Sequence, residues 1–399
     1  RVEEDLRNLS IEFKKKYPEV LDATERALTT LKTMREMYVA DKMRKSGQQK
    51  EDVKIPQSSD ILAPYILACN YADANPKLLL LALNGIQMLI SFEMIPPSDV
   101  KNLLRVFGIQ AASGKPELQL KILQMLLHLA NLLSANEDLV DYLTESTIRG
   151  FLSLTLSMCD DKNSVSVSTT ALATIRQIIS IIMDPLSTSV SVSITVVNKK
   201  SSSNNRTTTS SSPLSYSREV KDGFVKSATS FTRDLTLFIR GNDGEWCRGV
   251  QISQNSAFDL LDYIMTSWSN VFLMIPSFQS LVKESIFLAL KPGLRDLQED
   301  FANLVMKEGV TSAASLTSRV VRLARTFMIN FSSNGFLEEI DTIVTLMVHN
   351  LRSDFDFNPG NSSYSPRSPR NSNGSFSDGE KEKEPQSPAT AMMGVIGSL

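Results

Sequence analysis

Two histidines, His128 and His349, and three cysteines, Cys69, Cys159 and Cys247, are the residues of this chain whose chemistry would suit a metal or a nucleophile. A zinc or redox site needs ligands in close, regular spacing, and no CxxC or Cys/His pattern brings these five together. Each histidine falls in an apolar run, Leu126-Leu127-His128-Leu129 and Met347-Val348-His349. A helix-face or partly buried structural role is expected of both. The acidic pairs Glu3-Glu4, Asp160-Asp161 and Glu338-Glu339 do not form a general acid and base, because adjacent residues on a helix point about 100 degrees apart. Carboxylates that open a helix are favoured there by its dipole, which is the role expected of Asp160-Asp161.

Phosphate-binding and nucleophile-elbow spacings are missing from the sequence, and Gly241-Asn242-Asp243-Gly244 reads as a turn between helices, since no strand precedes it. No catalytic residue, metal ligand or cofactor is therefore expected. Three groups remain as candidates for contact or regulation. Lys14, Lys15 and Lys16 follow an amphipathic stretch with Leu6, Leu9 and Phe13 on one stripe, a pattern that can meet anionic headgroups or a partner. Arg319, Arg322 and Arg325 recur every three residues along a helix and either pair with acids or face an acidic partner. Ser365, Ser368 and Ser387 each precede a proline, with Arg367 and Arg370 nearby, so proline-directed phosphorylation would place new charge beside arginines.

These groups are positioned by helices. Apolar residues recur every three or four positions, and strand-like alternation is nearly confined to Val190–Val197. The spacing predicts helices over 2–16, 19–45, 59–73, 76–93, 97–112, 116–134, 137–158 and 163–183, and again over 219–240, 252–268, 276–291, 292–307, 311–333 and 335–350. Pro76-Lys77-Leu78 and Pro116-Glu117-Leu118 each open a helix, about 40 residues apart, with a third copy from Asn163. That period is typical of HEAT or armadillo pairs, in which no single pair can bury its apolar face alone. The fold class expected is all-α, a right-handed α-solenoid of HEAT/armadillo-like repeats. Four segments follow: a helical repeat domain over 1–183, a disordered Ser/Thr-rich loop over 184–218, a second helical domain over 219–351, and a disordered tail or linker over 352–399.

Bulk composition sets outer limits on function. The chain has 399 residues, 42% hydrophobic, with 42 basic against 44 acidic side chains, so no overall field favours nucleic acid. The longest uninterrupted apolar runs fall short of the roughly 20 residues a bilayer span needs, and scattered cysteines suit a reducing compartment. Sequons at Asn8, Asn205, Asn330, Asn361 and Asn373 would matter only in the secretory lumen. A cytosolic protein is expected.

The helix sequences also carry a family resemblance. Asp5-Leu6-Arg7-Asn8-Leu9-Ser10 with Phe13 to Val20 resembles the opening of the MON-two proteins, relatives of the large BIG and GBF Arf exchange factors. Pro64 to Cys69, Ala173 to Ile179, Phe258-Asp259-Leu260-Leu261, Leu281 to Glu284 and Arg319 to Leu323 extend the likeness across roughly residues 2–350. It implies a dimerisation and cyclophilin-binding domain followed by the start of a homology-upstream domain, in a non-catalytic scaffold. It further implies a homodimer with peripheral membrane association at the trans-Golgi network and endosomes, and Arf-like small GTPases and dopey-family scaffolds as partners. The alternative is the N-terminal regulatory region of an Arf guanine-nucleotide exchange factor.

Overall fold

In the computed structural model the described residues are 2–13, 17–44, 58–71, 75–160, 163–199, 217–332 and 335–355, and they form helices and turns with no strand. The chain divides into two compact units, Arg1–Ser256 and Ala257–Leu399.

The first unit is built from α1 (Val2–Phe13), α2 (Pro18–Arg44), α3 (Ser59–Asn70), α4 (Pro76–Ser91), α5 (Val100–Ala111), α6 (Pro116–Ala135), α7 (Glu145–Ser157), α8 (Val165–Lys199) and α9 (Arg218–Ile239). Its packing alternates. α3 packs on α5, α5 on α7 and α7 on α9, while α4 packs on α6 and α6 on α8. Most successive helices also touch each other, such as α3 and α4, α5 and α6, and α7 and α8, so these helices are shared between a neighbour in their own row and one in the other. The pattern follows from the sequence, because Leu83, Ile86, Leu126, Leu129, Ala171 and Ile175 are fully buried at helical spacing.

Proline at the first helical position starts both α4 and α6, where its missing N–H costs nothing. Asn75 adds a cap, its Oδ1 accepting from the Lys77 N–H at 3.0 Å. Buried amides tie the joints. Gln110 donates to the Cys69 carbonyl at 2.6 Å, and Gln119 bridges Ala111 and Asn163 at 3.1 and 2.9 Å. α3 and α4 approach closely at Gly85, where a β-carbon would come within 2.0 Å of the Tyr65 ring. Glycine there is a packing requirement.

Several expectations change. The single helix expected over 137–158 is broken into a 3-10 turn at Val140–Tyr142 and α7, because Thr144 takes extended geometry and caps a new helix by accepting from the Thr147 N–H at 3.3 Å. The stretch expected to leave the helix at 184 continues it to Lys199 through Pro185, and the alternating Val190–Val197 segment is helical too. Pro185 costs one ladder bond, but Ile182, Met183 and Leu186 are buried around it. The hydroxyls of Thr188, Ser189 and Ser191 turn back onto carbonyls four residues earlier at 2.8–2.9 Å, so these polar residues satisfy themselves within a helix. The rest of the expected loop, 200–216, lies outside the described residues.

Among the described residues two helices, Pro116–Ala135 and the Val165–Ser191 part of α8, are long and apolar enough to cross a membrane by length and composition, which corrects the expectation that no segment reaches that length. The uninterrupted-run criterion missed them because amphipathic helices interleave polar residues. Half of the first and 39% of the second are buried inside the unit.

The division between units also falls later than the sequence suggests. α9 packs on α7 and α8, burying Phe224, Phe231, Leu235 and Phe238. Residues 218–256 thus fold with the first unit rather than with the segment running to 351.

The second unit begins at Ala257 in the first turn of α10 (Gln254–Ser267) and carries α11 (Ser269–Met274), α12 (Pro276–Leu281), α13 (Phe287–Arg295), α14 (Leu297–Glu308), α15 (Val310–Phe331) and α16 (Leu337–Phe355). A π-turn at Val282–Ile286 joins α12 to α13, and α13 runs past Pro292, where a new helix was expected to start. The core is aromatic: Phe272, Phe278, Phe327, Phe331 and Phe336 are buried, with ring centroids 4.9–6.3 Å apart in tilted and edge-on pairs. Asn350 fastens α16 by donating to the Leu294 carbonyl at 2.6 Å. Beyond Phe355, residues 356–399 lie outside the described residues.

Candidate functional site

Each group singled out by sequence has a distinct fate. His128 and His349 are both exposed on helix faces, and among the described residues no cluster of three or more His, Cys, Asp or Glu side chains could hold a metal. Cys69, Cys159 and Cys247 are each 0% exposed, and burial pushes all three thiols up to about 12. A thiol held that high is a poor nucleophile at neutral pH. Lys14, Lys15 and Lys16, and likewise Ser365, Ser368 and Ser387, lie outside the described residues.

The arginine triplet is on α15, and Arg319 and Arg322 bond to aspartates of α10. Arg319 Nε donates to Asp259 at 3.1 Å. Arg322 reaches Asp259 with one nitrogen and Asp262 with Nε at 3.0 Å. Thr326 adds a hydroxyl to Asp262 at 2.6 Å, and Arg325 is half-buried one turn on. A ladder of two aspartates on α10 thus clamps α15. The side chains of Arg319 and Asp259 are only 24% and 23% exposed, so much of this charge is already neutralised within the unit.

The more open polar surface is one the sequence did not announce. α7 begins at Glu145 because Thr144 resets the helix, and this places Glu145 against α9 and the segment after it. Lys226 of α9 pairs with Glu145 at 2.7 Å, and the Trp246 indole N–H donates to the same carboxylate at 3.1 Å. These two hydrogen bonds hold the Glu145 carboxyl below the ordinary glutamate range, Lys226 first and Trp246 second.

Trp246 is held from behind by a buried acid. Asp234 on α9 is 1% exposed, and its carboxylate accepts from the backbone N–H groups of Glu245, Trp246 and Cys247 at 3.0, 3.0 and 2.6 Å. Three amide donors solvate the charge in place of water. Gly244 allows the approach, since a β-carbon there would meet Phe238 at 2.8 Å and Asp234 at 2.9 Å. The result is an open cleft of about 670 Å³ between α7 and the loop, lined by Ser146, Arg149, Gly150 and Ser153 on one side and Glu245, Trp246 and Arg248 on the other. Sequence reasoning read the Gly241–Gly244 turn correctly as a joint between helices. Its missed signal was one of only two tryptophans, set directly after that turn.

Comparison with known proteins agrees with the resemblance read from sequence. Residues 1–189 match the family described as the Mon2/Sec7/BIG1-like dimerisation and cyclophilin-binding domain, and this span falls wholly within the first unit. Among curated proteins, Protein MON2 homolog of Homo sapiens is 24% identical over 288 residues, and that of Xenopus laevis 24% over 290. The Drosophila melanogaster protein of the same name is 24% identical over 283. Each alignment covers 71% of this chain, and the chain spans about 15% of the length of these relatives.

Proposed function

We propose, from a chain whose residues 1–189 carry the Mon2/Sec7/BIG1-like dimerisation and cyclophilin-binding domain, that the protein is a non-catalytic scaffold segment in membrane traffic, related to the Arf exchange factors. The single observation that carries this reading is that family match, joined to a unit whose helices pack in two alternating rows. Such packing is how HEAT- and armadillo-type pairs build a right-handed solenoid, and it leaves extended helix faces as the working surface.

In this reading the chain binds a second copy of itself, Arf-like small GTPases and dopey-family scaffolds, and associates peripherally with trans-Golgi and endosomal membranes. Self-association has the most direct support, since the matched family is described by dimerisation. Lys14, Lys15 and Lys16 would serve the membrane or a partner, Arg319, Arg322 and Arg325 a partner, and Ser365, Ser368 and Ser387 would take phosphate.

The test is a binding experiment on the whole chain. Immobilised protein should retain purified Arf-like GTPase loaded with a GTP analogue over the GDP-loaded form, and should not accelerate nucleotide release from it. Retention of neither form would remove the GTPase from the proposal.

A second reading, the regulatory end of an Arf exchange factor, is favoured by the inclusion of Sec7 and BIG1 in the same family description. Coding sequence downstream of Leu399 separates the two: an exchange domain there selects the regulatory reading.

A further inference from the structure

We infer that the cleft between α7 and the 245–248 loop is a docking site for an acidic peptide segment of a partner protein, with Arg149 and Arg248 receiving its side-chain carboxylates. This inference rests on the scaffold reading and adds the site and the chemistry of one partner. Ser146, Arg149, Gly150 and Ser153 follow one another at three- and four-residue spacing, so they share one face of α7 and line the cleft together. Arg149 and Arg248 are both exposed, and among the described residues neither has a carboxylate in salt-bridge contact, although the Arg149 charge helps to lower the Glu145 carboxyl one turn away on α7. By contrast Lys226 is paired with Glu145, and Arg319 and Arg322 are paired with Asp259 and Asp262.

The site is also built in advance. Arg248 Nε donates to the Glu245 carbonyl at 3.1 Å, which ties this exposed side chain to its own loop and leaves its other guanidinium donors for a ligand. The Trp246 wall is fixed by its bond to Glu145 and by the amides on Asp234. Two planar guanidinium groups match carboxylates in bidentate geometry, and a half-buried indole beside them suits an apolar neighbour of the acidic residue. A cleft of about 670 Å³ has room for a few side chains.

The lining contains two arginines and one acid, Glu245, so its modest positive balance fits side-chain carboxylates better than a doubly charged phosphate. Its concave form, without lysine, is also unlike a surface that lies flat on a bilayer.

The experiment uses the whole chain and a dye-labelled synthetic peptide of alternating glutamate and leucine, followed by fluorescence anisotropy. Binding should weaken about tenfold or more in the double variant Arg149→Glu/Arg248→Glu and be largely kept in Arg149→Lys/Arg248→Lys. A peptide with lysine in place of glutamate should bind the charge-reversed variant better than the wild type. Circular dichroism melting should differ only slightly among the three proteins, since both arginines are exposed and Arg149 makes only a minor contribution to the lowering of Glu145.

Equal affinity of wild type and charge-reversed protein for the glutamate peptide would overturn the inference. So would loss of binding to phosphatidylserine vesicles with the peptide unaffected, which would assign the arginines to a membrane. Sedimentation of the same double variant keeps the two levels apart. Unchanged self-association with lost peptide binding supports the cleft, and lost self-association with unchanged peptide binding moves the arginines to the contact between copies.

Discussion

Trp246 donates its indole N–H to the carboxylate of Glu145 at 3.1 Å, joining residues 101 positions apart and tying the loop after α9 to the first turn of α7. With Lys226 on the other oxygen, the pair makes the 218–256 segment part of the first unit.

The depressed Glu145 carboxyl gives a pH dependence with a definite sign. A group whose folded pKa lies below its ordinary value, here 4.5, contributes stability above that value and loses it as pH falls through the lowered one. Because the side chains of Glu145 and Lys226 are 31% and 69% exposed, the contribution is no more than about 1 kcal/mol at pH 7. Glu145→Gln should therefore melt slightly below wild type at pH 7, and the gap should close on acidification below 4.5. A gap that widens in acid would show that the carboxylate is not stabilised in the fold.

Asp234→Ala removes the acceptor of three backbone amides in a nearly water-free position, leaving buried donors without a partner. The expected cost is about 3 kcal/mol, read in urea unfolding, with added protease cleavage between 241 and 249. A loop still protected in the variant would mean that the apolar contacts of Phe238 and Cys247 hold it alone.

Gly85→Ala should invert the usual effect of that change. In an exposed helix interior alanine gains up to about 1 kcal/mol over glycine. Here the new β-carbon falls 2.0 Å from the fully buried Tyr65 ring, so a loss of about 1–3 kcal/mol is expected, seen as a lowered melting temperature. Adding Tyr65→Phe should not restore it, because the clash is with ring carbons.

Cys69, Cys159 and Cys247 should fail to react with a thiol-specific dye at pH 8 in the native protein and react with three equivalents in denaturant. Fast native labelling at Cys247 would show that the 245–248 loop opens readily, and would weaken the view of the cleft as preformed.

Most helices were legible in the sequence because an apolar stripe at period 3.6 is a direct consequence of burying one face. α4 and α6 were read to within two residues of their ends, since Pro76 and Pro116 mark their starts. Proline misled where it is internal: Pro185 and Pro292 lie inside α8 and α13, where neighbouring burial outweighs one lost ladder bond. The polar composition after Pro185 read as loop because hydroxyls bonding back to their own helix leave no mark in composition. The cleft was illegible for another reason. Its two sides, at Glu145 and Trp246, are about a hundred residues apart, and only tertiary packing of α7 on α9 brings them together.

The central claim is that this chain works through surfaces it shares with other chains, a second copy first among them. Sedimentation velocity across nanomolar to tens of micromolar concentrations tests it most directly. The account predicts a concentration-dependent shift from the 44.2 kDa chain to twice that mass, and a single monomeric boundary over the whole range would contradict it.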